Sequence, residues 1–124
     1  MYGHAEDRTV RIDFDGKTLI TRCLVARSFW RRFMGFMGRR SISDDEGILF
    51  PHCNSIHTLF MRLTIDVFYL GENGEVIEVF SHLKPWRLLF PIRGVKHVLE
   101  TAAGTAQKLG IRKGHRLGCE EAWG

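Results

Sequence analysis

Apolar and polar residues alternate from residue 9 to residue 25, and this pattern constrains the fold more than any other in the chain. The positions expected to face inward are Val10, Ile12, Phe14, Leu19, Thr21 and Cys23. Between the two arms lies Asp15-Gly16, a pair typical of the type I′ turn, in which both central residues take positive φ. The segment is therefore predicted to form an antiparallel β-hairpin.

A second hairpin is predicted in the middle of the chain. Residues 56–70 suit one long strand, residues 71–74 suit a turn, and residues 76–80 suit a returning strand. Both strands contain adjacent apolar residues, so both of their faces are expected to be covered. A small barrel or a sheet wrapped by loops would cover both faces, and a barrel would also remove exposed strand edges.

Shorter elements are predicted around the two hairpins. Ser28 is expected to cap a short helix with apolar residues at spacings of three and four: Phe29, Trp30, Phe33, Met34 and Met37. The remaining predictions are a strand at 48–50 that Pro51 ends, a strand at 95–99, a helix at 102–109 that Gly110 ends, and a strand at about 116–120. The predicted fold class is α+β, a small β-barrel of mostly antiparallel strands with one or two short helices.

Length and composition indicate one domain over residues 1–124, with a core at about 9–120. Apolar residues make up 44% and charged residues 26% of the chain, as in ordinary globular proteins. The first residues include acids where a secretory signal would have an apolar core, and no run reaches the roughly 18 apolar residues of a membrane span. The chain is expected to be cytoplasmic, without a membrane span.

Four separated groups of motifs carry a resemblance to a known family. They are GFMGR at 35–39 with GILF at 47–50, HTLFMR at 57–62 with ID at 65–66, KPWR at 84–87, and VLE at 98–100 with AG at 103–104 and LGI at 109–111. In this order and spacing they resemble the DUF192 (UPF0127) family of small prokaryotic proteins, over residues 10 to 118. The resemblance implies an α+β fold built around a β-barrel, and it implies no established biochemical activity. Where the family pattern usually ends in Gly-Asp, this chain has Gly114-His115.

Five polar or aromatic residues in otherwise apolar segments form the candidate ligand site: His57, Arg62, Asp66, Trp86 and Arg87. Trp86-Arg87 can stack a planar ligand or clamp an anion, and the alternative is a packed loop with the tryptophan as its lid. Asp66 lies in a run that looks buried, so backbone amides or an arginine, Arg87 or Arg93, should hold its charge.

The cysteines and histidines suggest weaker possibilities. His52, Cys53 and His57 are weak candidates for metal ligands, and a structural histidine on an apolar strand face is the alternative for His57. No cofactor is predicted. Three cysteines at long spacings, Cys23, Cys53 and Cys119, are expected to be free thiols.

The first functional hypothesis is a domain that binds an anionic or planar small ligand or a protein partner. A second hypothesis is a small hydrolase or transferase that uses Cys53 or His57 with Asp66. A third is a nucleic-acid accessory module, because five arginines surround the predicted first helix and the net charge is +4. These arginines are Arg27, Arg31, Arg32, Arg39 and Arg40. Nothing in the sequence indicates an oligomeric state.

Overall fold

The Asp15-Gly16 pair forms the predicted turn. In the computed structural model, which describes residues 8–26, 36, 39–59 and 61–123, strand β1 (Arg8–Phe14) pairs antiparallel with β2 (Lys17–Val25). Asp15 has φ 55° and Gly16 has φ 77°, so both take the positive φ that a type I′ turn requires. The hairpin prediction is confirmed.

The predicted alternation in β2 is wrong in part. Ile20 and Cys23 are buried, whereas Thr21 and Arg22 between them are both exposed. The pairing of β1 with β2 shifts register between Val10 and Ile12, which is the effect of a β-bulge. An extra residue in one strand moves the following side chains to the other face, so Ile20 faces inward where Leu19 and Thr21 were expected.

The remaining strands complete one large sheet and one small one. They are β3 (Glu46–Pro51), β4 (Ile56–His57), β5 (Ile65–Leu70), β6 (Val76–Leu83), β7 (Leu88–Leu89) and β8 (His97–Ala102). The large sheet has the order β1-β2-β3-β8-β5-β6, in which only β2 and β3 are parallel. The small sheet pairs β4 with β7.

Apolar side chains cover both faces of the large sheet. In the central strand β8, Leu99 packs in one buried cluster with Phe68 and Leu70, whereas Val98 packs in a second cluster with Val67. Every residue of β5 and β8 is buried, so the prediction of two covered faces is confirmed for β5. Strand β6 is only partly buried, because it lies at the edge of the sheet.

The predicted long strand at 56–70 is wrong. The chain forms β4, leaves the extended conformation at Thr58, and enters the large sheet only at β5. Thr58 turns the backbone because its carbonyl accepts hydrogen bonds from the N–H groups of Met61 (3.2 Å) and Trp86 (2.9 Å). The face assignment that placed His57 in line with Ile65 therefore does not hold.

A barrel is not supported. Among the described residues the strands form an open sheet, and its outer strands β1 and β6 do not pair with each other. The C-terminal segment reaches towards both edges through isolated bridges, Asp13 with Gly118 and Glu75 with Arg116. These two bridges replace the strand predicted at 116–120. The predicted α+β class is confirmed at a coarser level, because the described residues form mostly β-strands with one short helix.

Several predicted boundaries move. Helix α1 (Thr105–Leu109) is shorter than predicted, because β8 continues to Ala102, and Gly110 ends the helix with φ 70° as predicted. Strand β3 includes Pro51 as its last residue. The helix predicted from Ser28 lies outside the described residues. Among the described residues no helix is long and apolar enough to cross a membrane.

Candidate functional site

Thr58 joins the two chain segments that carry most of the predicted site. It is completely buried, its N–H donates to the Arg87 carbonyl (2.8 Å), and its hydroxyl donates to the Lys84 carbonyl (2.8 Å) and accepts from the Arg87 N–H (2.8 Å). The pairing of β4 with β7 adds to these contacts. Three of the five predicted site residues, His57, Trp86 and Arg87, are therefore brought together.

The side chains at this junction differ in exposure and in their hydrogen bonds. The Trp86 side chain is 57% exposed, which differs from the packed lid considered for it, and its backbone has φ 65°. The Arg87 guanidinium is at the surface and donates to the Pro85 carbonyl (3.3 Å). His57 is half-buried, and its Nδ1 accepts from the Leu59 N–H (3.2 Å). Its Nε2 therefore carries the proton when the ring is neutral.

Large apolar side chains continue outward from Trp86 at every second residue. Trp86, Leu88, Phe90 and Ile92 are 57%, 55%, 70% and 37% exposed, and we call these four residues the apolar ridge. Leu89, between them, packs against the second buried cluster. Within β7 the side chains of Leu88 and Leu89 point to opposite sides, as successive residues of a strand do. Large exposed apolar patches are uncommon on the surfaces of monomeric globular proteins.

The backbone of the ridge is anchored to the core. The Tyr69 hydroxyl donates to the Phe90 carbonyl (3.0 Å), and Tyr69 is completely buried. Burial raises the pKa of Tyr69 to about 12, so the hydroxyl keeps its proton at any physiological pH. The Val95 N–H donates to the Ile92 carbonyl (3.1 Å). The backbone of the ridge is therefore held in place at Phe90 and at Ile92.

The chain around the ridge carries positive charge only. Residues 79–99 contain no Asp or Glu, and residues 51–65, which include β4, contain none either. Four exposed cations lie in the first of these segments: Lys84, Arg87, Arg93 and Lys96. In the sequence, the apolar ridge is thus flanked by cations, the groups that attract acidic partners.

Asp66 has a different place from the other predicted site residues. It is completely buried, and Oδ1 accepts from the N–H groups of His82 (2.9 Å) and Gly104 (3.1 Å) while Oδ2 accepts from Ala106 (2.9 Å). Backbone amides therefore bind both carboxyl oxygens, which is one of the two alternatives predicted for Asp66. The carboxylate connects β6 to the start of α1 and does not meet the ridge.

The other predicted residues do not form a second centre. Arg62 is exposed, and Cys53 donates its thiol to the Ser55 carbonyl (3.0 Å). Within the described ranges, no three His, Cys, Asp or Glu side chains are grouped as metal ligands. His52, Cys53 and His57 thus do not assemble a ligand set there. The three cysteines are free, as predicted.

The arginines of the nucleic-acid hypothesis are only partly within the described ranges. Arg27, Arg31 and Arg32 lie outside them. Arg39 binds the Glu46 carboxylate (2.9 Å) and the Ser41 carbonyl (3.1 Å).

Glu100 is a buried acid that the sequence reasoning missed. It is 2% exposed in the middle of β8, its Oε1 has no hydrogen-bond partner, and its register neighbours are Ile48 and Val67. Burial raises its pKa to about 8, so the carboxyl is largely protonated at neutral pH. An acid directly after the apolar pair Val98-Leu99 was the signal that could have identified it.

Comparison with known proteins places the chain among relatives of undetermined activity. The DUF192 family model, described as "Uncharacterized ACR", matches residues 10–119. A UPF0127 protein of Pyrococcus furiosus is 37% identical over 105 residues, which cover 82% of this chain and 90% of that relative. A UPF0127 protein of Thermococcus sibiricus is 30% identical over 109 residues, which cover 85% of this chain and 70% of the relative.

Two solved structures share the fold. A protein of Sinorhizobium meliloti, named as a candidate transcription regulator, aligns with a TM-score of 0.80 at 24% identity over 94% of this chain and 98% of its own. A protein of unknown function from Novosphingobium aromaticivorans aligns with a TM-score of 0.77 at 22% identity over 93% and 89%. At these identities the likeness concerns the fold alone. Because the family model matches nearly the whole chain, this protein belongs to the DUF192 (UPF0127) family.

Proposed function

We propose that this protein is a binding domain whose apolar ridge takes an extended, acidic and apolar segment of a partner protein. The observation that carries the proposal is the exposure of Trp86, Leu88, Phe90 and Ile92. Of the five large apolar side chains that are exposed in the described part of the chain, four belong to this ridge. Their burial on binding is the driving force that the proposal requires.

The backbone favours an extended partner. Among the described residues β7 pairs in a sheet only with β4, and we propose that a strand of the partner adds to it. A peptide that pairs there would alternate its side chains with the same two-residue period as the ridge. Because Thr58 and Tyr69 fix the ridge in place, little conformational entropy is lost there on binding.

The charges favour an acidic partner over a basic one. Lys84, Arg87, Arg93 and Lys96 would face acidic residues placed between the apolar positions of the peptide. This charge pattern makes the first hypothesis from the sequence more specific: the partner is an acidic protein segment, and Trp86 and Arg87 are binding residues. Asp66 supports the fold in this proposal, and a reaction that pairs it with Cys53 or His57 is not favoured because its oxygens already accept three amide bonds.

The test is a binding assay with a synthetic peptide that alternates leucine and glutamate, followed by fluorescence anisotropy. We expect saturable binding that weakens with added salt, and a loss of about tenfold or more in the double variant Trp86→Ser/Phe90→Ser. The matched control is Leu109→Ser, which removes an exposed apolar side chain from α1. Equal binding by a leucine–lysine peptide, or an unchanged double variant, would contradict the proposal.

The same assay separates two other partners. Binding to phosphatidylglycerol vesicles without binding to the peptide would replace the protein partner with a membrane surface. Duplex DNA that binds with steep salt dependence, and equally to the double variant, would instead favour the nucleic-acid hypothesis. That outcome would agree with the description of the Sinorhizobium meliloti protein as a candidate regulator.

A further inference from the structure

A second surface of the protein carries positive charge around a cavity and shares no residue with the ridge. The cavity has a volume of about 590 Å³ and lies between β6 and the loop that follows α1. Its lining is Val79, Ser81, Ile111, Arg112, Lys113 and His115. We call it the basic cavity, and we propose that it binds a small organic phosphate.

Backbone hydrogen bonds hold the loop that forms the cavity against β6. The Gly114 N–H donates to the Val76 carbonyl (2.9 Å), and the Val76 N–H donates to the His115 carbonyl (2.7 Å). At the helix end, the Ile111 N–H donates to the Ala106 carbonyl (2.9 Å). The loop is tied at both ends, so its side chains are displayed from a fixed backbone.

The polar groups of the cavity are hydrogen-bond donors. Arg112 and Lys113 are exposed cations, and Ser81 adds a hydroxyl from β6. His115 Nδ1 accepts from the Arg112 N–H (3.0 Å), which leaves Nε2 as the protonated nitrogen of the neutral ring. Donors from two separate segments suit the several oxygens of a phosphate, since charge-assisted hydrogen bonds to phosphate are among the strongest in proteins.

No acid lines the cavity, and the nearest ion pair leaves most of the charge available. Lys113 Nζ lies 3.6 Å from a Glu78 carboxylate oxygen, and both side chains are partly exposed, so the pair is weak. Arg112 forms no ion pair with a carboxylate of the described residues. A dianion in the cavity would therefore meet the Arg112 charge, which no carboxylate of the described residues pairs with, and the Lys113 charge, which Glu78 pairs with only weakly.

The cavity also has an apolar side. Val79, which is partly exposed, supplies this surface, whereas Ile111 borders the cavity but is only 3% exposed. Its volume falls in the range of sites that hold small organic molecules, roughly 300–1,000 Å³. A ligand that carries an apolar group on its phosphate would therefore use more of the surface than inorganic phosphate does.

The experiment titrates isotope-labelled protein with phenyl phosphate and follows the backbone amides by NMR. We expect saturable shifts confined to the 110–116 loop and to Ser81, with tighter binding of phenyl phosphate than of inorganic phosphate. Arg112→Ala and Lys113→Ala should each weaken binding about tenfold. Lys108→Ala is the matched control, because Lys108 is as exposed as Lys113, has one carboxylate partner, Asp44, and lies outside the cavity.

Three results would overturn the proposal: no saturable shift, an equal loss of binding in Lys108→Ala, or benzoate binding as tightly as phenyl phosphate. The ridge variant Trp86→Ser/Phe90→Ser should bind phenyl phosphate normally. Failure of one proposed site is therefore distinguishable from failure of the other.

Discussion

Glu100 makes the stability of this protein depend on pH. Its pKa is 4.5 in a model compound and about 8 in the folded state, so the folded protein keeps a proton that the unfolded chain releases. The contribution of the buried, protonated Glu100 carboxyl to folding stability is fully present below pH 4.5. It is lost as the pH rises from there to about 8. We expect the free energy of unfolding to fall by a few kcal/mol across this window, on the order of 1.4 kcal/mol per pH unit.

Denaturant unfolding of wild type and Glu100→Gln at several pH values checks this prediction. The glutamine cannot ionise, so this contribution to the pH slope should disappear in the variant. The same slope in both proteins would mean that the Glu100 carboxyl does not titrate in this range.

Asp66 is expected to be essential to the fold. Asp66→Asn replaces one carboxylate oxygen with an NH₂ group that faces a backbone N–H, so one buried donor loses its acceptor. We expect a loss of about 3 kcal/mol in the free energy of unfolding, measured in urea. Asp45→Asn is the control, because Asp45 binds Thr21 and Arg22 at the surface and should cost much less. Equal losses in the two variants would contradict the role assigned to Asp66.

At the scale of elements, neighbouring atoms crowd the turn before β6 more closely than they crowd the turn of the first hairpin. Gly74 and Gly16 both have positive φ, at 87° and 77°. A Cβ at Gly74 would collide with the Leu117 carbonyl and the Trp123 indole nitrogen, whereas one at Gly16 would meet nothing within 4 Å.

The two glycines therefore form a matched pair for mutagenesis. Gly16→Ala should cost about 1 kcal/mol from the backbone conformation alone, and Gly74→Ala should cost at least about 2 kcal/mol more because neighbouring atoms must move. Thermal unfolding of both variants measures the difference. Similar unfolding temperatures for the two variants would contradict this prediction. They would mean that the C-terminal segment around Trp123 moves aside at little cost in stability.

The elements that were predictable from sequence are those that local chemistry determines. Asp15-Gly16 specifies its turn by backbone conformation, and Gly110 ends α1 for the same reason. The strand predicted at 56–70 fails because Thr58 bonds to residues near position 86, a partner that no local pattern reveals. Exposure of Leu88 and Phe90 was equally invisible, since burial depends on the whole fold and Leu88-Leu89-Phe90 is a continuous apolar run.

At the scale of the whole molecule, the candidate ligand site stays a prediction, and the structure shows which of its residues lie near one another. His57, Trp86 and Arg87 meet at the small sheet, which required a pairing between segments about thirty residues apart. Asp66 lies in an apolar segment, as the other predicted site residues do. Its three hydrogen bonds to backbone amides, however, are those of a structural residue. Only the tertiary contacts therefore distinguish a polar residue that stabilises the fold from one that remains a candidate for binding.

The position of β8 in the sheet affects how the protein is made. Strand β8 spans residues 97–102 but lies between β3 and β5, so those two strands have no common neighbour until position 102 has been translated. A nascent chain on the ribosome would hold the β1–β2–β3 unit and the β5–β6 hairpin apart, each with an unpaired edge. Synthesis speed and chaperone supply, more than the stability of the finished domain, would then govern how much of the protein escapes aggregation in the cell.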